Sequence, residues 1–366
     1  SGVWIMAYTT IDDPSAHFQI ALYTGNQTAR SITNDGNSDL QPDWVWDKNR
    51  DSSGYHHNGY DSSRGVGKQI RLNKDDAEIN QAQGVTAFNS DGFSLGTDDS
   101  SNKTGDKYVA WQWKANGGTT TTNDASATSV GDTDSAYQVN STAKFSIVGW
   151  TGSGSGSVNI AHGLGSTPKF ILTKQRGGAN SNLIYHHKNT VADDPHDSFL
   201  KMNNNSASGA DDNNYFMNNT APTSTVVTFG NGNEANQSGT YIGYFFDEVQ
   251  GYSKFGTYTG NGENDGPFTY TGFKPAWIMI KRTDSSSNWN IHDIKRNIDN
   301  PSENILLAND SAAEATTSNA YLDILSNGFK CYNGDASQNA NGGTYIYMAF
   351  AEHPFVSSKG VPTTAR

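Results

Sequence analysis

The sequence predicts an all-β protein of three tandem β-sandwich-like repeat units joined by polar loops. Three observations carry this expectation. The polar content is held by Asn, Ser, Thr, Asp and 38 Gly, residues that favour turns, while only 17% of the chain is Asp, Glu, Lys or Arg. Aromatics are nonetheless plentiful, with 16 Phe, 17 Tyr and 8 Trp in 366 residues, so the chain has the means to bury a core that disordered chains lack. One ordered set of short motifs also occurs three times.

The first motif is aromatic-Thr-Gly, at Tyr23-Thr24-Gly25, Trp150-Thr151-Gly152 and Tyr258-Thr259-Gly260, each preceded by a strand-like stretch such as Phe145-Ser146-Ile147-Val148. The second lies 17 to 19 residues on: a Pro, an aromatic two later, a β-branched residue three later and a Lys six later. It reads Pro42/Trp44/Val45/Lys48, Pro168/Phe170/Ile171/Lys174 and Pro275/Trp277/Ile278/Lys281. Pro lacks a ladder donor and suits the start of a strand. A His follows in each copy, at His56, His186 and His292, and an aromatic strand closes it: YVAWQW at 108–113, YIGYFF at 241–246 and YIYMAF at 345–350. Asp91-Gly92-Phe93 in the first copy matches Asn327-Gly328-Phe329 in the third, with no clear counterpart in the second.

These signals set the boundaries. Residues 1–16, with the strand-like Val3-Trp4-Ile5-Met6, form an N-terminal strand segment that completes a sheet of the first unit. The units span 17–115, 144–250 and 251–355, the first being the divergent one. Residues 116–143 read as a polar linker and 356–366 as a tail. No stretch holds a sustained helical period; the best helix candidate is the short Ile305-Leu306-Leu307. Each unit is expected to be a double-sheet sandwich of about six to eight strands.

Charge and motif content narrow the function. A net charge of −12 without a Lys/Arg cluster argues against nucleic acid. No apolar run reaches the length of a membrane-spanning helix, and the secretory-leader succession is not visible. The single cysteine, Cys331, excludes an intrachain disulfide and reads as an inert buried thiol. The sequence contains no GxSxG, HExxH or P-loop motif, so no catalytic residue is assigned. Asp75-Asp76, Asp98-Asp99, Asp193-Asp194 and Asp211-Asp212 are adjacent pairs in polar loops, unlike the two carboxylates that face each other across a glycosidase cleft. Adjacent His56-His57 and His186-His187 point to opposite faces of a strand, which leaves too few ligands for a metal site. No cofactor is expected; calcium is the ion that the oxygen-rich loop 261–266 could take, although the full EF-hand spacing is missing. Among the aromatics, most of which belong to strands, Trp289 in the loop-like Ser285-Ser286-Ser287-Asn288-Trp289 is the candidate ligand-binding residue, as an exposed ring able to stack on a sugar.

The stretches YTGNGENDGPFTYTGFKPAWIMIKRTDSSSNW (258–289), FSIVGWTGSGSGSVNIAHGLGSTPKFILTKQR (145–176) and YVAWQWKANGGTTTTND (108–124) resemble a repeat domain of marine bacteriophage virion structural and tail-fibre proteins. The resemblance covers the second and third units and the linker. The first departs from it, with Asn37-Ser38-Asp39-Leu40 where the second has His162-Gly163-Leu164-Gly165. It implies a virion location, extracellular action and a homo-oligomer, with a trimer as the expected form, and it supplies no catalytic residues. The expected function is therefore a non-enzymatic phage tail fibre or receptor-binding appendage that contacts a host-surface glycan or protein and other virion proteins. A capsid decoration or head-fibre protein that binds the virion shell is the alternative. A polysaccharide depolymerase, which would need two carboxylates about 5–9 Å apart across a cleft, is the third.

Overall fold

The aromatic-Thr-Gly strand and the closing aromatic strand of each motif set pair with one another, Tyr23 facing Tyr108, Trp150 facing Tyr241 and Tyr258 facing Tyr345. The Pro-led strand pairs with the other side of the closing strand, Trp44 against Trp113, Phe170 against Phe246 and Trp277 against Phe350. These pairings nucleate three large antiparallel sheets in the computed structural model, which describes residues 7–190, 194–211 and 214–363. The first sheet runs in the order Phe18–Thr24, Lys107–Trp113, Trp44–Asn49, Asn58–Asp61, Lys68–Arg71, Ile79–Asn80. The third runs Ser253–Thr259, Thr344–Pro354, Phe273–Arg282, Trp289–Asp293, Asn304–Leu307, Ala315–Thr316. The second has the corresponding order Phe145–Gly152, Gly239–Phe246, Phe170–Gln175, Leu183–His186, Ser198–Lys201, Gly209–Ala210, extended at the first edge by Ser135–Asn140 and Thr121–Asn123.

A smaller sheet lies over the outer face of each large one as a lid. The lids are Arg30–Ile32, Phe93–Leu95 and Val85–Phe88 in the first, Val158–Ala161 and Val226–Phe229 in the second, and Asp265–Tyr270, Gly328–Tyr332 and Leu322–Leu325 in the third. Side chains alternate along a strand, so each large sheet buries one row under its lid and the other on its inner side. Val45, Ile171 and Ile278 belong to the outer cores; Trp44, Trp46, Phe170, Leu172, Trp277 and Met279 belong to one inner core. That inner core is common to all three large sheets. Trp44 stacks on Tyr244 at 4.2 Å between centroids, Phe170 on Phe255 at 6.0 Å, and Phe18 on Phe350 at 5.2 Å, so first meets second, second meets third and third meets first. Burial on both faces explains why the closing strands read as unbroken apolar runs rather than as alternation.

The glycine of aromatic-Thr-Gly has a steric cause. A Cβ on Gly25, Gly152 or Gly260 would collide with the carbonyl oxygen of Lys103, Gln237 or Ala340 in the loop that leads to the closing strand. In each case the Asn before that carbonyl residue accepts from the amide that follows the glycine: Asn102 from Asn26, Asn236 from Ser153, Asn339 from Asn261, at 2.8–3.0 Å.

Several expectations are corrected. Residues 116–143 are not a linker: they carry the two edge strands of the second large sheet and a short helical turn, Ala125–Thr128. Ile305-Leu306-Leu307 lies in a strand, not a helix. Described residues of the tail fold back, with Ser358 N donating to Asp12 and Thr363 N to Phe355 O. Val3-Trp4-Ile5-Met6 lies outside the described residues. The second lid has two strands where the others have three, which accounts for its missing Asp-Gly-Phe signal.

Candidate contact site

Several buried or half-buried ionisable residues meet where the large sheets abut. Between the first and second, Arg64 joins Asp61 and Glu78, Glu78 also takes Arg176 Nε at 2.8 Å, and the Tyr244 hydroxyl donates to Asp61 at 2.8 Å. Between the third and first, Arg296 joins Asp293 (2.6 Å) and Glu314 (3.0 Å), Glu314 takes Arg50 at 2.7 Å, and Trp111 Nε1 donates to Asp293 at 3.1 Å. The seam between the second and third carries His186, Asn189, Ser208 and Thr283 at the corresponding places. There, Asn189 Nδ2 donates to Ser208 Oγ at 2.8 Å and Ser208 N to Thr283 O at 2.9 Å. Backbone amides make the same link across the other seams, Glu78 N to Arg176 O and Glu314 N to Arg50 O, both 2.7 Å.

The lysines of the Pro-led motif stand at these seams. Lys48, Lys174 and Lys281 are buried, and burial lowers each ammonium to about 8. Lys174 Nζ donates to Asp75 O (2.9 Å) of the first sheet's final turn, and Lys281 Nζ to Asn205 O (3.2 Å) of the second's. Lys48 Nζ donates to Asn49 O at 2.6 Å and senses Asp310 and Glu314 of the third. The turns they meet share a pattern that sequence reading missed: Leu72-Asn73, Met202-Asn203 and Ala308-Asn309, whose Asn side chains accept from the amides of His57, Asn182 and Trp289 at 2.8–3.1 Å. A polar turn after a short strand looks like any loop; the apolar-Asn pair recurring 31 to 35 residues past each Pro was the available signal.

The histidines do not come together. His186 pairs with Phe170, whereas His292 pairs with Ile278, one register step away, and His56 precedes its strand. His57, His162, His186 and His292 are all buried, and desolvation holds their imidazoles neutral: His162 falls to about 4, His186 and His292 to about 3. Among the described residues no group of three or more His, Cys, Asp or Glu is arranged to hold a metal. In loop 261–266, Asp265 is ion-paired to Lys330, and Asn261 donates back to Asp265 O at 2.9 Å. Asp76 pairs with Arg71, and Asp211 accepts the amides of Tyr215, Phe216 and Met217; Asp193 and Asp212 lie outside the described residues. Cys331 is buried on the inner face of the third lid, its thiol pushed up to about 12 by desolvation.

Trp289 is not the exposed ring the sequence suggested. It is 2% accessible, opposite Lys281 in the ladder, with Nε1 donating to Lys201 O at 3.0 Å. The ladder pulls the residue out of the Ser-rich loop into the inner core, which removes the exposure on which its ligand role was argued.

Surface cavities are shallow. A cavity of about 200 Å³ between the first and third sheets is lined by Phe18, Ile20, Lys295 and carboxylates already engaged: Asp13 with Ser15 and Ser38, Asp35 with Lys295, Glu352 with Lys274. The outward faces of the lids differ more. On the first lid Ser31 and Ser94 face solvent with hydroxyls 3.0 Å apart, and on the second Thr228 donates to Asn159 at 2.7 Å. The third lid presents Phe268, 47% exposed, and Tyr270, 52% exposed, from an edge strand. Beside them Tyr321 and Tyr332 stack at 5.5 Å, the Tyr332 hydroxyl donates to Asp323 at 2.8 Å, and Lys330 Nζ lies 5.4 Å from the Tyr332 ring. The sequence reading passed over Phe268-Thr269-Tyr270; its alternation about a small polar residue was the signal of a strand with one face turned outward.

A family model described as a domain of unknown function, DUF7483, matches residues 13–354. No curated protein and no solved structure matches the chain.

Proposed function

The chain belongs to the DUF7483 family, and from the resemblance of its repeats to virion domains, together with its outward faces, we propose that it is a non-enzymatic contact protein of a virus particle, a tail fibre or other receptor-binding appendage that engages a host-surface glycan or protein. We read the three sheet pairs as diverged copies of one unit, arranged about a pseudo-threefold axis. The common strand order, the corresponding Lys48, Lys174 and Lys281, and the head-to-tail seams support that reading. In such a ring the buried charges are spent on holding copies together, and the outward faces are free to vary. The observation that carries the proposal is the variation itself: the first two lids turn the small or polar Ser31, Ser94 and Asn159 outward, whereas the third turns out two large aromatic rings, Phe268 and Tyr270, that the described residues leave about half exposed. Exposed aromatic patches of this kind mark contact surfaces.

A capsid decoration role is favoured by a separate observation. The three large sheets share one strand order and one inner core, a framework that suits a threefold position on a shell even though the lids differ. Locating the chain in a map of the intact particle tests both. Density at a distal appendage supports the first, density on the shell supports the second, and absence from the particle removes both.

A further inference from the structure

We propose that the outward face of the third lid is a saccharide platform on which Phe268 and Tyr270 stack against an uncharged sugar chain. This rests on reading the protein as a contact module and narrows the partner at this face to a glycan. Residues two apart on a strand share a face and lie about 7 Å apart, so the two rings form a row along the edge strand. Gly328, opposite Tyr270 in the ladder, keeps the centre of the face flat; a Cβ there would come within 3.0 Å of the Phe268 ring and collide with Thr269 O. Tyr270 is held in place, because its hydroxyl meets that of Tyr8 at 3.0 Å and Tyr8 in turn donates to Gly272 O at 2.7 Å. A ring fixed before the ligand arrives costs little entropy on binding.

Charge selects the ligand class. Lys330 is paired with Asp265, and Asp323 accepts from the neutral Tyr332 hydroxyl, so the ammonium of this face is already neutralised and, among its described residues, no free cation is left to attract an acidic chain. These groups retain spare hydrogen-bonding positions of both kinds, which suits hydroxyls that both donate and accept. With a net charge of −12, the protein repels acidic polysaccharides. A sugar offers apolar ring faces to Phe268 and Tyr270 and hydroxyls to Lys330 and Asp323.

The test is affinity electrophoresis of the full chain through gels containing dextran, mannan or laminarin as neutral probes and alginate as the acidic one. Retardation by at least one neutral probe is expected, weakened about tenfold in Phe268→Ala and in Tyr270→Ala. Tyr270→Phe should retain binding, and Thr228→Ala on the second lid should leave it unchanged. Retardation unaffected by either alanine variant, with thermal midpoints preserved, would overturn the platform and leave the contact reading standing. If no neutral probe retards the wild type, both the platform and the glycan arm of that reading fail. Retardation by alginate alone would refute the uncharged ligand. Concentration-dependent self-association abolished by Phe268→Ala would make the face a contact between copies instead.

Discussion

Replacing Arg296 tests whether the seams hold the sheets as described. Its side chain is wholly buried and spends three groups: Nε on Asp293 (2.6 Å), Nη1 on Glu314 (3.0 Å) and Nη2 on Ile291 O (2.9 Å). Arg296→Asn installs the residue found at the corresponding place, Asn189, and leaves Asp293 buried without its counter-charge. Removing one partner of a buried pair costs roughly 3–5 kcal/mol. Asp293 keeps the donors Trp111 Nε1, Lys295 N and Arg296 N, so the lower end, about 3 kcal/mol, is expected. The combined replacement Arg50→Thr, Asp293→His, Arg296→Asn, Glu314→Ser copies the neutral second–third seam and should cost less than the sum of its members, because coupled residues are not additive. Urea unfolding followed by tryptophan fluorescence reads both. A loss under about 1 kcal/mol for Arg296→Asn, or strict additivity in the combined variant, would refute the seam as a buried, mutually dependent network.

Two further outcomes follow from buried groups. His57, His162, His186 and His292 are neutral when folded, so below the ordinary imidazole value the unfolded chain takes up protons that the folded one refuses, and stability falls with pH. Each contributes up to about 1.4 kcal/mol per pH unit. Asp47, pushed up to about 7 by burial, works in the opposite sense and offsets about one of the four, leaving a net loss of about 4 kcal/mol between pH 6 and pH 5; an unchanged urea midpoint over that interval would contradict it. Trp289→Ala should cost about 3–5 kcal/mol by emptying part of the inner core, while leaving neutral-polysaccharide retardation of the remaining folded protein unchanged.

Much of this architecture was legible because the motifs are steric and ladder requirements. Aromatic-Thr-Gly marks the place where a loop carbonyl crosses the strand, and the Lys six past each Pro marks a seam. The strands could be found but their two-sided burial could not be predicted from one sheet's own segments, since each inner face is completed only by the other large sheets. His56, His186 and His292 looked like a single signal because their spacing is similar; the ladder separates them by register, which spacing does not encode. Trp289 was misplaced by its Ser-rich flank, and 116–143 by its small polar composition, although two short edge strands need little apolar content when only one face packs. The outward rings Phe268 and Tyr270 were hidden by the same rule that found the core, since aromatic residues in a strand are ordinarily buried.

The central physical claim is that the three large sheets share one core and stand or fall together. Calorimetry of the intact chain tests it directly: one transition with equal calorimetric and van't Hoff enthalpies is predicted, of the order of 250 kcal/mol for 366 residues near 60 °C. A calorimetric enthalpy near three times the van't Hoff value, or resolved peaks, would mean three sandwiches that unfold independently and would contradict the common core.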